Sequence, residues 1–178
     1  MSCSDAARSP RNAASADAPD SLATVNDSTA TQDRSNARKD DARLASEVVE
    51  SMYAKTALVQ QGQEKATTPA VKRLAKELET AYTALNGRWK YLVVKNGWAL
   101  PSGESAVAIK ERTELGEEEA AVFEKKWLRE MEDRHEATIK KLANSRSQDA
   151  VMQALCAESV ARLKELLKNI KTVRESLE

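Results

Sequence analysis

The sequence predicts an all-α protein, an antiparallel four-helix bundle. Three observations carry that expectation. Apolar residues recur at spacings of three and four over four long stretches, no segment alternates with the period of two that a half-buried strand requires, and the breaks between the stretches run short, long, short. Asn86-Gly87 and Asn96-Gly97 interrupt or end a helical pattern and do not lie between alternating apolar runs, so neither reads as a hairpin turn.

The first 40 residues carry Leu22 and Val25 as their only large aliphatic side chains, among Ser, Ala, Asp, Asn and Thr. Such a segment buries too little apolar surface to offset chain entropy, roughly 1 to 2 kcal/mol per ordered residue, and is expected to form a disordered polar leader or tether. Residues 41–178 are the right size for one compact domain, the bundle itself.

The first helix is expected from about Asp41 to Ala66, with Leu44, Val48, Met52 and Val59 on one side and Glu47, Glu50 and Lys55 among the polar positions. Thr67-Thr68-Pro69 ends it and starts the next, because proline's fixed φ suits a first helical position where its missing N–H costs nothing. In the second helix Val71, Leu78, Leu85 and Leu92 recur every seven residues, with Tyr82 and Trp89 widening the stripe, until Asn96-Gly97. Trp98 to Gly116 form the long connection, in which Ala106, Val107 and Ile109 suggest a couple of helical turns. The third helix is expected to start near Glu117, whose acidic run suits the positive end of a helix dipole, and to reach Asn144 with Phe123, Trp127, Met131, His135 and Leu142 facing inward. The fourth runs from about Gln148 to Ser176, where Ser159, Leu163, Leu166, Ile170, Val173 and Leu177 alternate spacings of four and three.

Composition excludes several functions. Lys plus Arg balance Asp plus Glu at 28 each and the signs are interspersed, which gives no basic face for nucleic acid. No apolar run is long enough for a transmembrane span. With two cysteines, Cys3 and Cys156, neither a disulfide framework nor a zinc cluster is expected. Cys156 falls on an apolar face as a small core residue, whereas Cys3 heads the polar leader, where a bacterial lipoprotein carries its lipid-bearing cysteine.

The chemistry-bearing candidates are few. His135, the single histidine, lies on the apolar stripe with Glu132 three residues before it, a spacing that stacks imidazole and carboxylate on one helix face. Three readings stand for His135: a core histidine bonded to a neighbour such as Tyr82, a weak metal ligand with Glu132, or a pH-responsive group. Glu124, Glu47, Glu50 and Glu79 are expected as solvated boundary residues, since an unpaired buried carboxylate is costly. Trp89, Trp98 and Trp127 read as core and lid residues. No nucleophile has a base at recognisable spacing, so no catalytic residue and no cofactor is expected.

Phe123-Glu124-Lys125-Lys126-Trp127 followed by His135 resembles the Phe-Asp-x-x-Tyr…His signature of the ferritin-like proteins catalogued as domain-of-unknown-function family 4142. Lys65-Ala66-Thr67-Thr68-Pro69-Ala70-Val71-Lys72 is similar to that family's turn between its first two helices, and Leu100-Pro101 and Leu115-Gly116 fall where it tends to place such pairs. The resemblance covers residues 41–176 and implies a ferritin-like bundle. Members typically carry three histidines, one on each of the last three helices; the corresponding residues here are Tyr82, His135 and Leu166, and Lys55 lies near a position where members often have glutamate. Three functions follow as expectations: a non-enzymatic bundle of the bacterial cell envelope, periplasmic or outer-membrane-associated, anchored at Cys3 and acting on an unidentified protein partner; a metal or redox protein with a reduced site at Glu132 and His135; or a cytoplasmic interaction module using the exposed 98–116 connection.

Overall fold

The computed structural model describes residues 23–177, with side chains over 33–177. The chain divides into two units, Met1–Arg34 and Ser35–Glu178, and apart from the first residues of α1 everything described below concerns the second. Cys3 and the leader up to residue 22 lie outside the described residues. Among the described residues there are five helices, α1 (Ala23–Lys65), α2 (Pro69–Lys95), α3 (Ala106–Gly116), α4 (Ala120–Ala143) and α5 (Ala150–Glu175), and no strand.

The all-α expectation is met, with two corrections to its details. Helix α1 begins at Ala23, so residues 23–40, expected as disordered leader, are helical. These residues lack an apolar stripe, but adding a turn to an existing helix is far cheaper than starting one, and the stripe from Leu44 onward supplies the start. The long connection holds a helix of 11 residues, α3, where a couple of turns was expected. Ser105 caps it by accepting from the Ala108 amide at 3.2 Å, and Ala108 is its one buried residue.

Local chemistry sets the other boundaries. Pro69 drives the preceding Thr68 into an extended conformation (φ −73°, ψ 126°), which separates α1 from α2. Gly97, at φ +67°, ends α2: its amide bonds the Val94 carbonyl and the Trp98 amide bonds the Val93 carbonyl, each at 3.0 Å, the paired pattern of a left-handed glycine cap. Trp98 is thereby turned back onto the core. Glu117 caps the end of α3, so α4 starts at Ala120, slightly later than the acidic run suggested. Asp149 opens α5 by accepting from the Met152 amide at 2.8 Å.

Side-chain pairs fix the directions of the four long helices. Gln63 meets Glu79 and Lys90 lies over the Tyr53 ring, so α1 and α2 are antiparallel. Arg88 with Glu158 and Glu77 with Asn169 do the same for α2 and α5. Trp127 with the Leu58 carbonyl and Lys141 with Glu47 set α4 against α1, and Lys171 with Glu136 and Arg174 with Glu132 set α5 against α4. The long helices therefore run up, down, down, up, and the α3 connection carries the chain between the two that run the same way. One core draws on all four, from Val48, Met52 and Leu58 through Leu78, Trp89, Trp127 and Met131 to Leu163, Leu166 and Ile170.

Candidate functional site

Among the buried polar side chains described, His135, Lys55 and Thr138 gather with Tyr82 into a cluster at mid-height, built by α1, α2 and α4. His135 and Tyr82 are both fully buried, and the Tyr82 hydroxyl lies 2.8 Å from Nε2 of His135, across the diagonal of the bundle. Nδ1 of His135 lies 2.6 Å from the Met131 carbonyl. A carbonyl only accepts, so Nδ1 carries the proton and Nε2 accepts from the Tyr82 O–H. Burial, reinforced by the nearby Lys55, lowers the His135 pKa to about 4, and burial raises that of Tyr82. A neutral imidazole facing a neutral phenol follows.

Lys55 completes the cluster. The sequence pattern counts it among the polar positions of the first helix, and it is fully buried. Val48, Met52, Lys55 and Val59 follow one another at helical spacing, so the residue was on the inner stripe all along. Its Nζ donates to Ser51 Oγ at 2.7 Å and to Thr138 Oγ1 at 2.6 Å, and Thr138 in turn donates to the Arg134 carbonyl at 2.8 Å. No carboxylate pairs with it among the described residues. Burial, then the charges of Arg134 and Lys141, lower its pKa from 10.5 to about 7. A neutral amine has two N–H groups, which matches the two hydroxyls that receive them.

Glu132 and His135, three residues apart and the candidate metal pair of the sequence, are not brought together. Glu132 turns toward α5, where it meets Lys171 at 3.3 Å and Arg174 at 2.9 Å. His135 turns toward α2 and has both ring nitrogens engaged by the bundle itself. Leu166 lies fully buried on the core face of α5, and a lysine stands in the cluster where a carboxylate ligand would be required. Among the described residues no group of three or more His, Cys, Asp or Glu side chains is arranged to hold a metal ion. These side chains do not fit a metal site, because the two donors diverge and the one imidazole lone pair already accepts a hydrogen bond.

Glu124 also departs from expectation. It is buried, 4% exposed, and its carboxylate accepts four hydrogen bonds: Thr67 N at 2.5 Å, Thr68 N at 2.7 Å, Thr67 Oγ1 at 3.1 Å and Thr68 Oγ1 at 2.5 Å. Burial raises its pKa, but the donors of Thr68 and Thr67 outweigh that and hold it below the usual carboxylate value. The burial that an isolated carboxylate could not bear is thus compensated by the turn between α1 and α2. Glu47 is exposed in an ion pair with Lys141, and Glu79, half-buried, accepts from Gln63. Cys156 is a buried core residue, as expected, and Trp89 and Trp127 each satisfy their indole N–H, on Ser159 Oγ at 3.0 Å and the Leu58 carbonyl at 2.8 Å.

Among the described residues no helix is long and apolar enough to cross a membrane. No curated protein matches the chain. A solved structure, "Crystal structure of DUF305 fragment from Deinococcus radiodurans", is similar to it with a TM-score of 0.70 at 12% identity, covering 77% of this chain and 96% of that one. At that identity the likeness is one of fold. The sequence matches the family described as "Domain of unknown function (DUF4142)" over residues 26–173, which takes in the whole polar cluster and the Phe123-to-His135 motif that suggested the same family. The chain belongs to the DUF4142 family.

Proposed function

We propose that this protein is a non-enzymatic, ferritin-like four-helix bundle of the bacterial cell envelope, periplasmic or outer-membrane-associated, which works by binding or structural support and carries a lipid anchor at Cys3. One observation carries the non-enzymatic part: the polar groups of the core cluster are used up by one another and by the backbone. His135 is engaged at both nitrogens, and Lys55 donates to two hydroxyls. None of these atoms is left facing a space where a substrate could be held, which general acid–base or nucleophilic chemistry requires. The up, down, down, up order with one long crossover supports the ferritin-like reading of the topology. The polar segment behind Cys3 supports the tether.

Elemental analysis tests the reading directly. Protein purified without chelators, with and without added iron, zinc and manganese, is compared with the His135→Ala variant. Absence of stoichiometric metal from both is the expected result, and stoichiometric metal that disappears with His135 overturns it. Fractionation of cells expressing the full chain and its Cys3→Ser variant tests the anchor: a membrane-associated pool released by the substitution is expected, and identical distribution of the two refutes it.

A further inference from the structure

On the outside of the bundle, away from the polar cluster, α2 and α5 enclose an open groove of about 810 Å³. Ala84 and Gly87 of α2 and Ala154 and Leu155 of α5 line it. Tyr91 and Val151, 68% and 57% exposed, stand at the same groove, an unusual outlay of large apolar side chains on a protein surface. A Cβ built on Gly87 meets no heavy atom within 4 Å, so the groove is open at its midpoint.

Charge narrows the choice of occupant. The lining residues include two cations, Arg88 and Lys95, and no carboxylate. Arg88 is neutralised by Glu158, whereas Lys95 pairs with no carboxylate among the described residues and lies 6.0 Å from the Tyr91 ring centroid. Helix α2 as a whole is basic, with Lys72, Arg73, Lys76, Arg88, Lys90 and Lys95 against Glu77 and Glu79, in a chain of zero net charge. A second copy is therefore a poor occupant: a two-fold pairing of α2 with α2 centred beside Gly87 sets basic helix against basic helix. The volume lies in the range of small-molecule sites, about 300 to 1,000 Å³. The trough follows α2 from Thr83 to Lys95, about 18 Å of helix at 1.5 Å per residue. An elongated, mainly apolar groove with an ammonium at one end has the complementary form of a long-chain anion.

We propose that the groove between α2 and α5 binds a long-chain fatty acid, its alkyl chain lying over Gly87 and Ala84 and its carboxylate meeting the Lys95 ammonium. This deepens the binding function proposed above and rests on it.

The test uses the full chain and cis-parinaric acid, a fluorescent long-chain carboxylate, with its methyl ester as the uncharged control. Saturable one-to-one binding is expected, abolished by Gly87→Leu and weakened about threefold both by Lys95→Gln and by the ester, as suits an exposed ion pair. Gly87→Leu should fold at least as well as the parent, since it replaces a helical glycine over open space. Far-UV circular dichroism checks this, and the Lys95→Gln and ester arms stand without it. Absence of saturable binding, or binding indifferent to Gly87→Leu, overturns the inference. So does flotation on phosphatidylglycerol vesicles without binding of the monomeric probe, which would make this face a membrane contact, and so does a dimer in sedimentation that Gly87→Leu dissolves. Metal analysis of the same sample separates the two readings: stoichiometric metal lost with His135 ends the binding-bundle function, while failure of the probe on metal-free protein ends only the fatty-acid site.

Discussion

Replacing Lys55 by methionine should make the stability of this protein nearly independent of pH between 7 and 10, where the parent's rises steeply. In the unfolded chain the amine is protonated up to 10.5, whereas in the buried cluster it releases its proton above about 7. Between those values the unfolded state holds the extra proton, so stability increases with pH. The contribution is fully present above 10.5 and is lost as the pH falls to about 7. The interval, at about 1.4 kcal/mol per pH unit, amounts to on the order of 5 kcal/mol. Methionine fills a similar volume, forfeits two hydrogen bonds worth about 1 kcal/mol each and removes that cost, so at pH 7 the variant should be the more stable by about 3 kcal/mol. His135 does not blur the measurement, because it titrates near 4, below the window. Urea unfolding followed by circular dichroism at half-unit steps from pH 7 to 10 gives both curves. If the difference between parent and Lys55→Met is the same at every pH, Lys55 is not the neutral buried amine described here.

Three further substitutions probe the rest of the core. Gly62→Ala would place a Cβ 2.6 to 2.9 Å from the Trp127 ring, which is held by its bond to the Leu58 carbonyl; despite better helix propensity it should destabilise by about 2 kcal/mol or more, and a neutral effect in urea unfolding would refute that close approach. Glu124→Gln should cost about 2 to 3 kcal/mol at pH 7, since its amide cannot serve all four donors of Thr67 and Thr68; the penalty should vanish as the pH falls through the lowered pKa of Glu124 and protonates the parent's carboxylate. Leu166→Ala should cost about 2 to 5 kcal/mol from its fully buried position, and a cost below about 1 kcal/mol would mean that the inner face of α5 is misplaced.

Most of the fold is legible in the sequence because the apolar repeats are strong: the Val71-to-Leu92 heptad and the alternating stripe ending at Leu177 each identify a buried face directly. Pro69 and Gly97 add backbone constraints that hold in any context, so the ends of α2 match closely. Residues 23–40 read less well, since their helix is an extension of a neighbour and not a product of their own pattern. In the candidate site, the Tyr82–His135 pair was within reach, as both residues sit on inner stripes. Lys55 and Glu124 were misread for the same reason: a charge on a boundary position is solvated by default, and only the three-dimensional partners reveal the exception. For Lys55 the signal was its register with Met52 and Val59. For Glu124 no local signal exists, because its donors belong to a turn far upstream.

That distance has a consequence for the order in which the chain matures. The backbone amides of the turn between α1 and α2 are satisfied by a side chain 56 and 57 positions later. On a ribosome, where the N-terminal end emerges first, the α1–α2 hairpin waits for α4 before its turn is sealed. The turn of the earliest hairpin to be synthesised cannot be sealed until Glu124 has been made, and this nonlocal clasp ties the first half of the fold to the second.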